Sequence, residues 1–218
     1  EYMSTYNLIA SSEESTVVTE YKPQAKRSEA YQSETALEQE FICLLQELGY
    51  EYLPIHTEKD LIDNLRRQLE AVNSYRFSDD EWRRFFGEVL CNPKSGIVEK
   101  TRFIQEDHVQ VLCRDDGSSK NITLIDKKNI HNNRLQVINQ YAVSKEEGAA
   151  HDNRYDVTVL VNGFPMVHIE LKRRGVPIRE AFNQIERYQR DSFWAASGLY
   201  EYVQIFVISN GTNTKYYS

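Results

Sequence analysis

A chain of 218 residues, 40% hydrophobic and 11% aromatic, is long enough for one sizeable domain with a real core and too apolar to be a disordered segment. Its net charge of −7 and pI near 5.4 argue against autonomous, tight binding to nucleic acid, which rests on neutralising phosphates. Three cysteines (Cys43, Cys91, Cys113) lack zinc-ligand spacing, no secretory signal pattern is present, and the apolar runs are too short to span a bilayer, so a soluble, cytoplasmic protein with reduced thiols is expected.

Residues 1–32 are polar and irregular apart from Val17-Val18, which predicts an extended arm able to add an edge strand to the domain over 33–218. Thr35 and Glu38 have the spacing of a capping box. They precede an apolar stripe of Leu37, Phe41, Leu44, Leu45 and Leu48, closed by Gly49. A second helix is expected from Glu58 to Val72, carrying Leu61, Leu65 and Leu69. A third starts at Ser78 with its box partner Glu81, carries Trp82, Phe85, Phe86 and Leu90, and stops before Pro93. Residues 96–106 read as a short helical or irregular piece.

The period then changes to strands over 108–114, 121–126 and 135–143, with turns at Asp115-Asp116-Gly117 and around Asn129 and Gly148. A hairpin over 154–172 follows, then a helix from Pro177 to about Asp191. Residues 203–209 are near-continuously apolar, as in a buried strand. Strand, helix and strand in succession predict a right-handed crossover to a parallel neighbour. The chain stops at Tyr216-Tyr217-Ser218 without a domain-closing cap, so a piece of a longer protein is expected.

The hairpin carries the chemistry. Val157, Val159 and Val161 share one face of its first strand, and His168, Glu170 and Lys172 share one face of its second. Two carboxylates, Asp156 and Glu170, can hold a hard cation such as Mg2+, and Lys172 can meet the charge of a phosphate. A plain two-residue Asn162-Gly163 loop would pair Asp156 with Ile169 and set the two carboxylates on opposite faces. An odd loop or a bulge removes that fault and would set Asp156 across from His168, with Glu170 on the diagonal. The competing reading of Asp156, Glu170 and Lys172 is the solvated face of an amphipathic hairpin.

On the following helix Gln184 and Tyr188 are four apart and share a face, while Ala181, Ile185 and Tyr188 make a core stripe. The pair therefore serves either the phosphate region or packing. Arg173, Arg174, Arg179, Arg187 and Arg190 crowd this stretch, as a solvated face or as a local DNA-facing patch on an acidic protein. His168 shares the Glu170 face, where it could hydrogen-bond near a metal, and reads as structural, since nothing else supplies a histidine-type metal site. No P-loop is present, so these residues provide no ATP site.

Asp156, Glu170-Leu171-Lys172 and the run from Gln184 to Tyr188 resemble the PD-(D/E)xK nuclease site with an added Q-x-x-x-Y motif; Tyr155 stands where that pattern has proline. The longer wording is similar to the N-terminal nuclease domain of the type I restriction enzyme motor (R) subunit. It comprises residues 156–166, 169–175 and 181–184, with Glu38-Gln-Glu-Phe-Ile, Leu48-Gly-Tyr-Glu-Tyr-Leu and Ile208-Ser-Asn-Gly. The resemblance implies an α/β, restriction-endonuclease-like core: a mixed β-sheet flanked by helices, with N-terminal helical additions. It implies that Asp156 and Glu170 hold Mg2+ and that Lys172 positions or activates the attacking water. Gln184 and Tyr188 would contact the backbone or brace the lysine, and Glu38 would be a supporting carboxylate. In that family the domain precedes an ATP-driven translocase of double-stranded DNA, in a complex with methyltransferase and specificity subunits; ATP would serve the full-length subunit only. The alternatives are a stand-alone repair or junction-resolving nuclease of the same fold and a catalytically silent docking module.

Overall fold

The structure, a computed structural model, describes residues 6–10, 18–21 and 33–218, apart from 145, 147, 150 and 151. Strands β1 (Tyr6–Ala10) and β2 (Val18–Tyr21) pair antiparallel with each other and do not extend the main sheet, contrary to the expected edge strand. The rest of the predicted arm lies outside the described residues.

Helix α1 (Glu34–Glu47) is capped two residues before the expected Thr35. Ser33, extended at φ −70° and ψ 159°, accepts the first free amide, from Ala36, at 3.1 Å. With the cap taken by serine, the expected Thr35–Glu38 box does not form, and Glu38 is released to turn inward. Gly49, at φ +93°, ends the helix as predicted. The buried apolar residues are Ile42 and Leu45, whereas Leu44 and Leu48 are exposed.

After β3 (Glu51–Tyr52), helix α2 (Glu58–Asn73) buries Leu61, Leu65 and Leu69 completely. Helix α3 (Asp79–Arg84) carries the predicted Ser78–Glu81 box and runs into a π-helical turn over Phe85–Leu90. Helix α4 (Ile97–Gln105) follows. Strands β4 (Val109–Cys113) and β5 (Ser119–Thr123) form their own hairpin.

The main sheet has six strands in the order β10-β9-β8-β7-β6-β3. Its members are β6 (Leu135–Val143), β7 (Asn153–Val161), β8 (Phe164–Leu171), β9 (Ile205–Ser209) and β10 (Thr214–Tyr217), beside β3. Helix α5 (Ile178–Asp191) makes the expected crossover, and β9 lies parallel to β8. Strand β9 is only half-buried, since Ile205 is exposed. One face of the sheet meets α1 through Ile42, Leu45, Val137, Val157, Val159, Ile169 and Leu171. The larger core gathers α2, α5 and the aromatic residues Tyr155, Tyr188, Phe193 and Tyr200. The architecture is a mixed sheet flanked by helices. Among the described residues no helix is long and apolar enough to cross a membrane.

Candidate active site

The β7–β8 hairpin turns on Asn162 and Gly163, both left-handed at φ +50° and +86°, with Val161 paired to Phe164. That two-residue turn suits the right-handed twist of its strands. Its geometry is fastened from outside: the Asn162 amide donates to Leu124 O and Asn133 Oδ1, and its Oδ1 accepts from Arg134 N. The required odd count enters one step later, as a bulge. Leu160 pairs with Pro165 and Val159 with Val167, leaving Met166 as the extra residue. Pro165 has no N–H for the ladder, so the register breaks beside it.

The bulge lies on β8 and so shifts the register opposite to the expected direction. Thr158, not Asp156, opposes His168, and Val157 opposes Ile169. The paired register ends at Val157 and Ile169, and Asp156 and Glu170 are the next residue on each strand. Asp156 Oδ2 accepts at 2.9 Å from the N–H of Leu171, the residue after Glu170, and the Glu170 charge bears on the Asp156 carboxyl. The structure thus brings the two carboxylates to one place.

The strand is irregular where Asp156 sits. Tyr155 belongs to the larger core and Val157 to the α1 side, yet the Thr158 hydroxyl meets that of Tyr200 at 3.0 Å, back on the first side. Strict alternation is therefore broken at Asp156. Its neighbour across β6 is Gln140, at φ +52° in the middle of a strand. A non-glycine residue there costs on the order of 1–3 kcal/mol. Gln140 Nε2 and Asn139 Nδ2 donate to the two oxygens of Glu38, at 2.5 and 2.6 Å. Glu38, only 5% exposed, is therefore held by two amides at the edge of this region.

Burial raises the affinity of both site carboxyls for protons. For Asp156 the repulsion from Glu170 adds to burial, against the pull of Leu171 N and Lys172. For Glu170 burial is the largest cause, offset by Lys172, whose Nζ donates to Oε1 at 3.2 Å. Glu170 Oε2 is buried without a hydrogen-bond partner. His168, fully buried, is pushed down to about 4 by desolvation and is neutral. Among the described residues no group of three or more His, Cys, Asp or Glu could hold a metal. Two adjoining carboxylates that resist ionising together, one with an orphaned oxygen, nevertheless fit Mg2+, which commonly takes one or two carboxylates and keeps its waters.

The α5 pair faces the same strand from outside. Gln184 Nε2 donates to the Tyr188 hydroxyl, which donates to Arg154 O at 2.9 Å. Tyr188 is also buried, its ring 4.8 Å from that of Tyr155. It both packs and ties the strand two residues before Asp156. Arg187 lies over the Tyr188 ring at 5.3 Å and is exposed, as is Arg173; Arg174 is half-buried.

Three residues near the site were not singled out from sequence: Asn139, Gln140 and Glu34. Glu34 accepts from Arg173 N at 3.3 Å and adds negative charge near Glu170. Each is about thirty or more positions away along the chain from Glu170, so no local spacing signals it.

A family model for the N terminus of type I restriction enzyme R proteins matches residues 31–218. The type I restriction enzyme EcoprrI endonuclease subunit of Escherichia coli is 49% identical over 211 residues, covering 96% of this chain and 66% of that protein. An endonuclease subunit of a type I restriction enzyme from Staphylococcus aureus (strain MSSA476) is 41% identical over 194 residues, which are 87% of this chain and 20% of the relative. A putative counterpart from Methanocaldococcus jannaschii is 32% identical over half of the chain. The chain thus spans about two thirds of the first of these relatives and a fifth of the second.

Proposed function

The chain belongs to the family of type I restriction enzyme R protein N termini, and from that premise we propose that it is a Mg2+-dependent nuclease domain of PD-(D/E)xK type, hydrolysing phosphodiester bonds of double-stranded DNA. The observation that carries the reading is the nearness of Asp156 to Glu170, Asp156 Oδ2 accepting from Leu171 N, with Lys172 bonded to the second carboxylate. Asp156 and Glu170 would hold the cation, which when bound supplies charge for the developing oxyanion. Lys172, tethered by Glu170, orients the water beside the scissile phosphate. Glu38 serves as a further carboxylate. Gln184 and Tyr188 hold β7 through Arg154 O, so that Asp156 keeps its place. Arg173, Arg174 and Arg187 meet the DNA backbone.

In the full-length subunit, ATP would drive translocation through other domains, and methyltransferase and specificity subunits would supply sequence choice and most of the DNA grip. An acidic chain suits that division of labour. Asp156→Ala, Glu170→Ala and Lys172→Ala in the full-length subunit are expected to lower cleavage on the order of 1,000-fold or more, several kcal/mol of transition-state stabilisation. ATP-driven translocation is expected to persist. Wild-type cleavage by any one variant removes that residue from the site, and wild-type cleavage by all three sinks the proposal.

A further inference from the structure

His168 is a buried titratable group that the chemistry above leaves unused. Its ring is fully buried, and Tyr155, Tyr188 and Phe193 meet it edge to face at centroid distances of 5.3, 5.9 and 5.5 Å. Among the described residues neither ring nitrogen has a hydrogen-bond partner. Glu170 Oε2, also fully buried, has none either, and it lies 3.5 Å from His168 Nε2. A buried polar atom without a partner costs about 1–3 kcal/mol. An aromatic cage of this kind would be filled as well by phenylalanine, with no orphaned nitrogens. Two orphans facing each other across one short gap therefore need an account other than packing.

We propose that His168 is a positioning residue for Glu170: its Nε2 stands 3.5 Å from Oε2, and a small rotation of the carboxylate closes that gap into an Nε2–H···Oε2 hydrogen bond that fixes its orientation. Nε2 is the nitrogen with an acceptor in reach, which selects its tautomer. Lys172 Nζ holds Oε1 from the other side, so both oxygens are located while each keeps a lone pair free. A carboxylate held in this way presents its open lone pairs beside Asp156 without the entropy cost of being ordered when a cation arrives. Outer partners of this kind contribute about 10–100-fold in metal affinity. The inference rests on the reading of Asp156 and Glu170 as a cation-holding pair.

The test is calorimetric titration of the chain with Mn2+ alone, with thermal unfolding followed in parallel. His168→Phe keeps a flat ring in the cage and loses the donor; it is expected to bind Mn2+ about 10–100-fold more weakly with its melting temperature unchanged or raised. His168→Gln carries an N–H at a similar reach and is expected to recover binding to within a few-fold of wild type. Wild-type Mn2+ affinity in His168→Phe, or equal weakening in both variants, overturns the proposal. If His168→Phe does not fold, His168→Gln decides: binding as weak as that of Asp156→Asn counts against the donor role. Should the wild-type chain and Asp156→Asn bind Mn2+ alike, the cation-pair reading itself fails, and the role of His168 falls with it.

Discussion

Burial raises the proton affinity of both Asp156 and Glu170, the Glu170 charge adds to it at Asp156 and the Glu34 charge at Glu170, and one lysine pulls the other way. Each therefore binds its proton more tightly in the folded chain than in the unfolded one. The folded state accordingly carries more protons in the interval between the ordinary carboxylate range near pH 4 and the raised values. The stability from this pair is complete below that ordinary range and is lost as pH rises toward neutrality. The melting temperature of the cation-free chain should fall between about pH 5 and pH 8, and Asp156→Asn, neutral at every pH, should fall less. On the proposed reading, excess Mg2+ at neutral pH should restore wild-type stability, because the cation would bind the folded pair and not the unfolded chain. A melting temperature that rises over this interval, or an identical fall in Asp156→Asn, would refute the account.

At the scale of elements, the β7–β8 turn is where local letters and distant packing act on the same residue. Gly163 has φ +86°, which the Asn-Gly pair announces, but a Cβ there would also stand 2.6 Å from Leu65 Cα on α2. The turn is pressed against helix backbone that cannot yield. Gly117, in the β4–β5 turn, has a similar φ of +81° and open space around it. Gly117→Ala should thus cost only the left-handed strain, roughly 1–2 kcal/mol. Gly163→Ala should cost that and a steric displacement of α2, on the order of 3 kcal/mol or more. Denaturant unfolding of the two variants checks the difference; equal destabilisation would show that α2 does not bear on the turn. The neighbouring bulge had its own letter, Pro165, whose missing N–H breaks the ladder and adds Met166 to β8. The parity of the strands demanded an extra residue, but parity alone does not say on which strand it falls.

For the molecule as a whole, the excess of negative charge makes the local distribution of cations decisive. Arg173 and Arg187, both exposed, flank the carboxylate pair in sequence and on α5. Reversing both, Arg173→Glu with Arg187→Glu, should weaken double-stranded DNA binding by the full-length subunit. It should also flatten the salt dependence of binding by roughly two units of log–log slope, about 0.9 for each phosphate no longer neutralised. The melting temperature should change little, since surface charges contribute little to stability. An unchanged salt slope would take both residues out of the DNA interface.

The amino-acid sequence by itself determined helices α1, α2, α3 and α5, the β7–β8 hairpin and the crossover by α5, because period, caps and turn residues act within a few positions, while β3 and β10 carried no such signal. The family wording was equally legible in residues 156–188. Tertiary structure decided what those rules cannot reach. Ser33 rather than Thr35 caps α1, and that choice frees Glu38 to meet Asn139 and Gln140 on a strand about a hundred residues away. The left-handed Gln140 has no turn signal around it, and its side-chain amide reaches Glu38 on α1, about a hundred residues away. The isolation of His168 is likewise a property of the cage: the rings of Tyr155, Tyr188 and Phe193, brought together from β7 and from around the end of α5, stand edge to face around it, and no spacing along the chain encodes that enclosure.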